Sequence, residues 1–250
     1  MFASQFGVPS NLNTYSEDNF LHLDVDKVLR TVDALHHRIG ERFPESGLNR
    51  VCGELESVCC RSRERIAWIS RPIWPLRILR YVLIAIIVFG ILFTVVGIKD
   101  AVLAEMGTIE LIQTLEAGLN EVVMIGIGLL FVWTLESRLK RRRALRALHE
   151  LRSIAHVIDM HQLTKDPDRV SLNRTDTNSS PKMNLDAYGL RRYLDYCSEM
   201  LSLVGKVAAL HLQTMDDPTV VAAVNEIEAL TTGLSRKIWQ KIDMLREQMG

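Results

Sequence analysis

The chain has 250 residues, and its 30 Lys and Arg balance 30 Asp and Glu, so no whole-chain charge draws it to nucleic acid. Mean hydropathy is nonetheless slightly positive, at +0.08, with 24% of residues charged, so the apolar residues must be segregated. Residues 81–98 and 122–135 contain no charged side chain, which excludes an ordinary soluble globule. Only 6% aromatic residues, with 14 Gly and 7 Pro, argue against a membrane β-barrel. The expected fold class is an all-α integral membrane protein, a two-span transmembrane helical hairpin with a cytoplasmic helical bundle built from the segments before and after it.

Residues 1–23 are rich in Ser, Asn and acid without a period, and are expected to be a disordered tail. Residues 1–20 hold neither a basic n-region nor an apolar h-region, so no cleaved signal peptide is expected and the first span serves as the targeting signal. Residues 24–70 predict a helical hairpin. Val25, Val28, Val32, Leu35 and Ile39 mark the face of its first helix, which Pro44 ends; Leu48, Val51, Leu55, Val58 and Ile66 mark the second. Pro72 and Pro75 then break the chain at the membrane.

The first span is placed at 76–98, where residues 79–98 reach ~30 Å as a helix and Arg80 at one end can snorkel. The second is placed at 121–137. Its charge-free stretch 122–135 reaches only ~21 Å, so polar neighbours must be taken in, including Glu136, which can pair with Lys140 one turn on. Between them, residues 99–120 form an acidic connection carrying Lys99 against Asp100, Glu105, Glu110 and Glu116. Arg61, Arg63, Arg65, Arg71, Arg77 and Arg80 flank the first span, and Arg138, Lys140, Arg141, Arg142, Arg143 and Arg146 follow the second. The positive-inside rule then predicts a multi-pass protein of the cytoplasmic (inner) membrane with both termini cytoplasmic. Trp68, Trp74 and Trp133 fit an inner aromatic belt, and all four cysteines fall on the reducing side.

Residues 138–165 continue the second span as a long helix with Leu148, Leu151, Ala155 and Ile158 on one face, and Asp166-Pro167 stops it. Residues 166–183 read as a polar linker. Residues 184–250 predict an antiparallel helical pair. Its first stripe is Leu190, Leu194, Cys197, Leu201, Val204 and Ala208; Asp217-Pro218 signals the next N-terminus, and Val220, Val224, Ile227, Thr231, Leu234, Ile238 and Leu245 follow. Such heptads serve a bundle or a coiled coil equally.

No nucleotide loop, catalytic Ser/His/Asp set or phosphate cradle is present, so no catalytic residue, cofactor or metal is expected and the chain reads as non-enzymatic. His149, His156 and Asp159 form a weak polar site on one helix. His161 falls about 140° from His156, which prevents His156, Asp159 and His161 from closing on one metal along an unbroken helix. Cys52 and Cys59 lie one heptad apart without CxxC spacing and are expected as small buried residues, with lipidation of Cys59 or Cys60 as the alternative. His211 is expected to pack in a helix seam. Arg138, Lys140, Arg141, Arg142 and Arg143 are expected to contact anionic lipid headgroups. Glu116, Asn120 and Glu121 are candidates for a pore or outer vestibule, against the plainer reading of an interfacial amphipathic helix whose carboxylates face water. Gly118, Gly126 and Gly128 allow close helix approach. The expected function is a membrane anchor, scaffold or signalling protein whose bundle self-associates as a homo-oligomer or binds a cytoplasmic protein partner, with no nucleic acid. The alternative is an oligomeric ion-conducting protein with an acidic outer vestibule.

Overall fold

The computed structural model describes residues 22–103, 108–170, 178 and 184–249. The expected tail thus falls almost wholly outside the described residues, as does most of the linker. Among the described residues the chain is helical and has no strand. Six α-helices follow in order: α1 (Val25–Arg42), α2 (Gly47–Ser70), α3 (Trp74–Leu103), α4 (Thr108–Leu163), α5 (Ala187–Ala209) and α6 (Pro218–Met249). Short 3-10 helices span Pro167–Val170 and Leu210–Gln213.

Local chemistry explains most of the boundaries. Asp24 accepts from the Asp26 and Lys27 amides at 2.8 and 3.2 Å, and Ser46 accepts from Asn49 at 3.1 Å. Asp186 accepts from Gly189 at 2.7 Å and Asp217 from Thr219 at 3.0 Å. Each side chain satisfies an amide that the first helical turn leaves open, a contribution of about 1 kcal/mol. The break expected at Pro72 and Pro75 is shorter than the two prolines suggest. Only residues 71–73 leave the helical state, and Pro75 sits in the first turn of α3, where its missing N–H costs nothing.

One hydrophobic core joins α1, α2, the later half of α4 from Ala144 onward, α5 and α6. At its centre lies α5, which packs against each of the other four. The expected stripe on α5 is buried, and so is a second face formed by Tyr193, Tyr196, Met200, Leu203 and Val207. A helix surrounded by four others has to be apolar on most sides. On α6 the expected stripe is buried as a single face and continues through Ile242, so these heptads pack within the chain. Inter-helix ties orient the pieces: Arg38 to Glu199 and Arg65 to Glu150, both at 2.7 Å. The Lys241 ammonium donates to the carbonyls of Gln162 and Lys165 at 2.8 and 3.2 Å, which closes the C-terminal end of α4.

Two helical stretches, within Gly47–Lys99 and Leu115–Leu163, are long and apolar enough to cross a membrane. Their most apolar parts are almost wholly uncovered by the rest of the chain, which sets them apart from the core helices of a soluble protein. Val88, Phe89 and Phe93 on α3 are exposed, and the main partner of α3 among the described residues is α4. The two helices are antiparallel, because Thr94 meets Gly118, Gly90 meets Glu121 and the Arg80 guanidinium lies 5.4 Å over the Trp133 ring. The interfacial helix expected between the spans does not form as a separate element. Instead α3 runs on to Leu103 and α4 starts at Thr108, since helices already in register satisfy their backbone groups by continuing. At 56 residues α4 is about 84 Å long, and it runs unbroken from the α3 contact into the core.

Candidate functional site

The end of the α3–α4 pair remote from the core brings the vestibule candidates together on α4. Glu116 and Asn120 are exposed, as is Gln113 one turn earlier. At 100° per residue these three share a face turned away from Gly118, which meets α3. Glu121 lies at the flank of that contact. A Cβ added at Gly90 would stand 2.7 Å from its Oε1, so the missing side chain of Gly90 makes room for a carboxylate. Gly118 works alike, since a Cβ there would stand 2.8 Å from Thr94 Cγ2. The Thr94 hydroxyl donates to the Gly90 carbonyl at 2.9 Å. Gly126 and Gly128, expected to serve close approach, have nothing within 4 Å of an added Cβ; of the three glycines, only Gly118 mediates the intrachain contact.

These contacts determine which segments lie side by side. With Thr94 beside Gly118 and Arg80 beside Trp133, the charge-free residues 81–98 of α3 lie beside roughly 114–131 of α4. The expected second span, 121–137, is therefore displaced by several residues from the segment that accompanies the first. Hydropathy locates the apolar run of α4, but the close approaches at Gly118 and Gly90 decide its depth relative to α3. The two apolar runs are staggered, and Glu116, Asn120 and Glu121 stand beside the apolar distal half of α3. An open groove of about 670 Å³ follows this seam, lined by Thr94, Val95, Ile112, Leu115, Glu116 and Leu119 among others.

At the other end of the pair the basic run makes a joint. The expected Lys140–Glu136 pair is present at 3.0 Å, and Glu136 also accepts from the Ile73 amide at 3.4 Å. Arg141 Nε donates to Asp217 Oδ2 at 2.7 Å, the carboxylate being almost fully buried. Burial pushes the Asp217 carboxyl up, but the Thr219 amide and the Arg141 guanidinium outweigh it and hold the group below its ordinary range. The Arg143 guanidinium lies 3.5 Å over the Trp68 ring. Of the five expected headgroup residues, Lys140, Arg141 and Arg143 thus have partners within the chain, while Arg138 and Arg142 are exposed. Trp68 of α2, Arg143 of α4 and Asp217 at the start of α6 tie three helices where the paired helices meet the core.

The histidine candidates do not converge. His149 and His156 are exposed on α4, whereas Asp159 is half-buried and accepts from the Gln162 amide at 2.6 Å. Among the described residues no group of three or more His, Cys, Asp or Glu side chains could hold a metal ion. His161 occupies the space over Gly47 where a Cβ would stand, and burial, then Arg50 and Lys165, hold its pKa low. It borders a second groove, about 740 Å³, between α2 and α4, with Arg50, Glu54, Ser57 and Glu150 on its walls. Sequence reasoning missed this groove, for which the sole local signal is a glycine placed directly after the Ser46 cap. Cys52, Cys59 and Cys197 are buried, and burial pushes their thiols up to about 12; Cys60 is exposed. His211 is packed as expected, with Nδ1 3.2 Å from the Val207 carbonyl, and burial keeps it neutral more than that contact favours its charge.

Comparison of the chain with protein-family models, with curated proteins and with solved structures finds no match.

Proposed function

We propose that this chain is a non-enzymatic, two-span protein of the cytoplasmic membrane, with α3 and the first part of α4 as the transmembrane hairpin. The five-helix core is its cytoplasmic domain, serving as a scaffold or signalling element through self-association or a protein partner. The observation that carries the reading is the continuity of α4. One unbroken helix pairs with apolar, uncovered α3 at one end and contributes Ala144, Leu148, Leu151, Ala155 and Ile158 to the core at the other. A tilt or rotation of α4 within the bilayer would reach the core without an intervening hinge, and the Arg141–Asp217 pair would carry it to α6. Arg138 and Arg142 remain available to anionic headgroups at the membrane surface.

Impermeant thiol reagents applied to intact cells test the topology on a cysteine-free background. Thr108→Cys should be labelled from outside and Ser179→Cys only after permeabilisation. Labelling of Ser179→Cys in intact cells without labelling of Thr108→Cys would overturn the reading. A second reading, an oligomeric ion-conducting protein with an acidic outer vestibule, draws support from Glu116 and Asn120 being exposed. Ion flux through reconstituted liposomes tests that version.

A further inference from the structure

We infer that the distal half of α4 is an interface with other copies of this chain, α4 facing α4 around a wet acidic lumen that attracts cations, with α3 on the lipid side. The inference rests on the two-span reading above and follows from the stagger of the two helices. Residues 81–98 of α3 carry no charge and expose Val88, Phe89 and Phe93, so lipid suits that helix. At the same depth α4 exposes Glu116, Asn120 and Glu121, with Gln113 at the outer edge of that run. Glu121 lies against Gly90, in the middle of the charge-free run, roughly 13 Å from either end of it. Carboxylates and amides at that depth are not left facing hydrocarbon; they turn to protein or to a water-filled cavity.

Among the described residues nothing covers the face formed by Gln113, Glu116 and Asn120. The five-helix core lies at the opposite end of the α3–α4 pair, and α3 occupies the face next to Gly118 and Gly90. A second copy suits the exposed face better than an unrelated partner, because Gln113 and Asn120 each carry both a donor and an acceptor and so complement themselves under rotation. Gly128, about 80° round α4 from Asn120 and with no atom within 4 Å of an added Cβ, leaves space for a neighbouring helix further along α4. Glu116 and Glu121 determine the character of the interface. Carboxylates repeated from every copy repel one another in a dry seam, whereas water and cations between the α4 helices screen them.

Single cysteines in the full-length, otherwise cysteine-free protein test this in native membranes. Asn120→Cys should crosslink between copies under mild oxidation, and Phe93→Cys should not. Asn120→Cys should also react from outside about tenfold faster with a cationic than with an anionic methanethiosulfonate reagent. That preference should fall to near unity when Glu116→Gln and Glu121→Gln are added. Crosslinking at position 93 but not 120, no modification at 120, or equal rates for the two reagents would each overturn the inference. Thr108→Cys separates the two levels: if it is not labelled from outside, the two-span reading fails. If it is labelled while position 120 stays inert, the interface alone fails.

Discussion

Replacing Asp217 by alanine removes two interactions at once, and the structure lets them be separated. The side chain caps α6 through the Thr219 amide at 3.0 Å and accepts from Arg141 at 2.7 Å. Loss of an N-cap costs about 1 kcal/mol. A charge-assisted hydrogen bond is worth about 1.5–3 kcal/mol when both groups are buried. Arg141 remains 40% exposed and regains water once its partner is gone, so about 1 kcal/mol is expected from the pair. Asp217→Ala should therefore destabilise the domain by about 2 kcal/mol. Asp217→Asn, which keeps a good cap but no charge, should lose about half of that. Urea unfolding of the detergent-solubilised protein, followed by circular dichroism, provides the measurement. The pH dependence adds an independent check. The folded-state pKa of Asp217 is lowered, so its contribution is complete above the unfolded aspartate value of about 3.9 and is lost as pH falls from there through the folded value. The wild type should lose this increment over that window, while Asp217→Asn should not. Equal losses for the Ala and Asn variants, or a loss under 0.5 kcal/mol for Ala, would refute the division into cap and ion pair.

Three further outcomes are expected. Leu201 is fully buried on the central helix, so Leu201→Asp should cost more than about 3 kcal/mol, against under about 0.5 kcal/mol for exposed Trp239→Ala, in the same unfolding assay. At pH 8 a thiol reagent should modify Cys60 rapidly, and Cys52, Cys59 and Cys197 only on unfolding, since burial raises the latter three to about 12; mass spectrometry of the labelled native protein reads this directly. Gly118→Leu should force α3 and α4 apart at Thr94 and lower the protein's thermal stability in detergent, whereas Gly128→Leu should leave that stability unchanged and reduce crosslinking between copies, because a Cβ at Gly118 meets Thr94 while one at Gly128 meets nothing within the chain.

Much of this architecture is local in origin and can be read along the chain. Asp24, Ser46, Asp186 and Asp217 start helices through bonds to amides two or three residues on, and the single stripes of α1 and α6 follow the helical period. The Glu136–Lys140 pair spans one turn, and the two apolar runs are visible as the absence of charge. What depends on contact between distant segments was decided only by the tertiary structure. A single stripe on α5 did not foretell the second buried face of Tyr193, Tyr196 and Met200, because that face exists only where several helices converge. Arg141 reads as a headgroup contact until α6 places Asp217 beside it. The depth of Glu121 could not be seen from hydropathy, which measures each helix alone. It follows from Gly90 and Gly118, two positions without side chains that let α3 and α4 approach in one register and so set polar residues of one helix beside the most apolar half of the other.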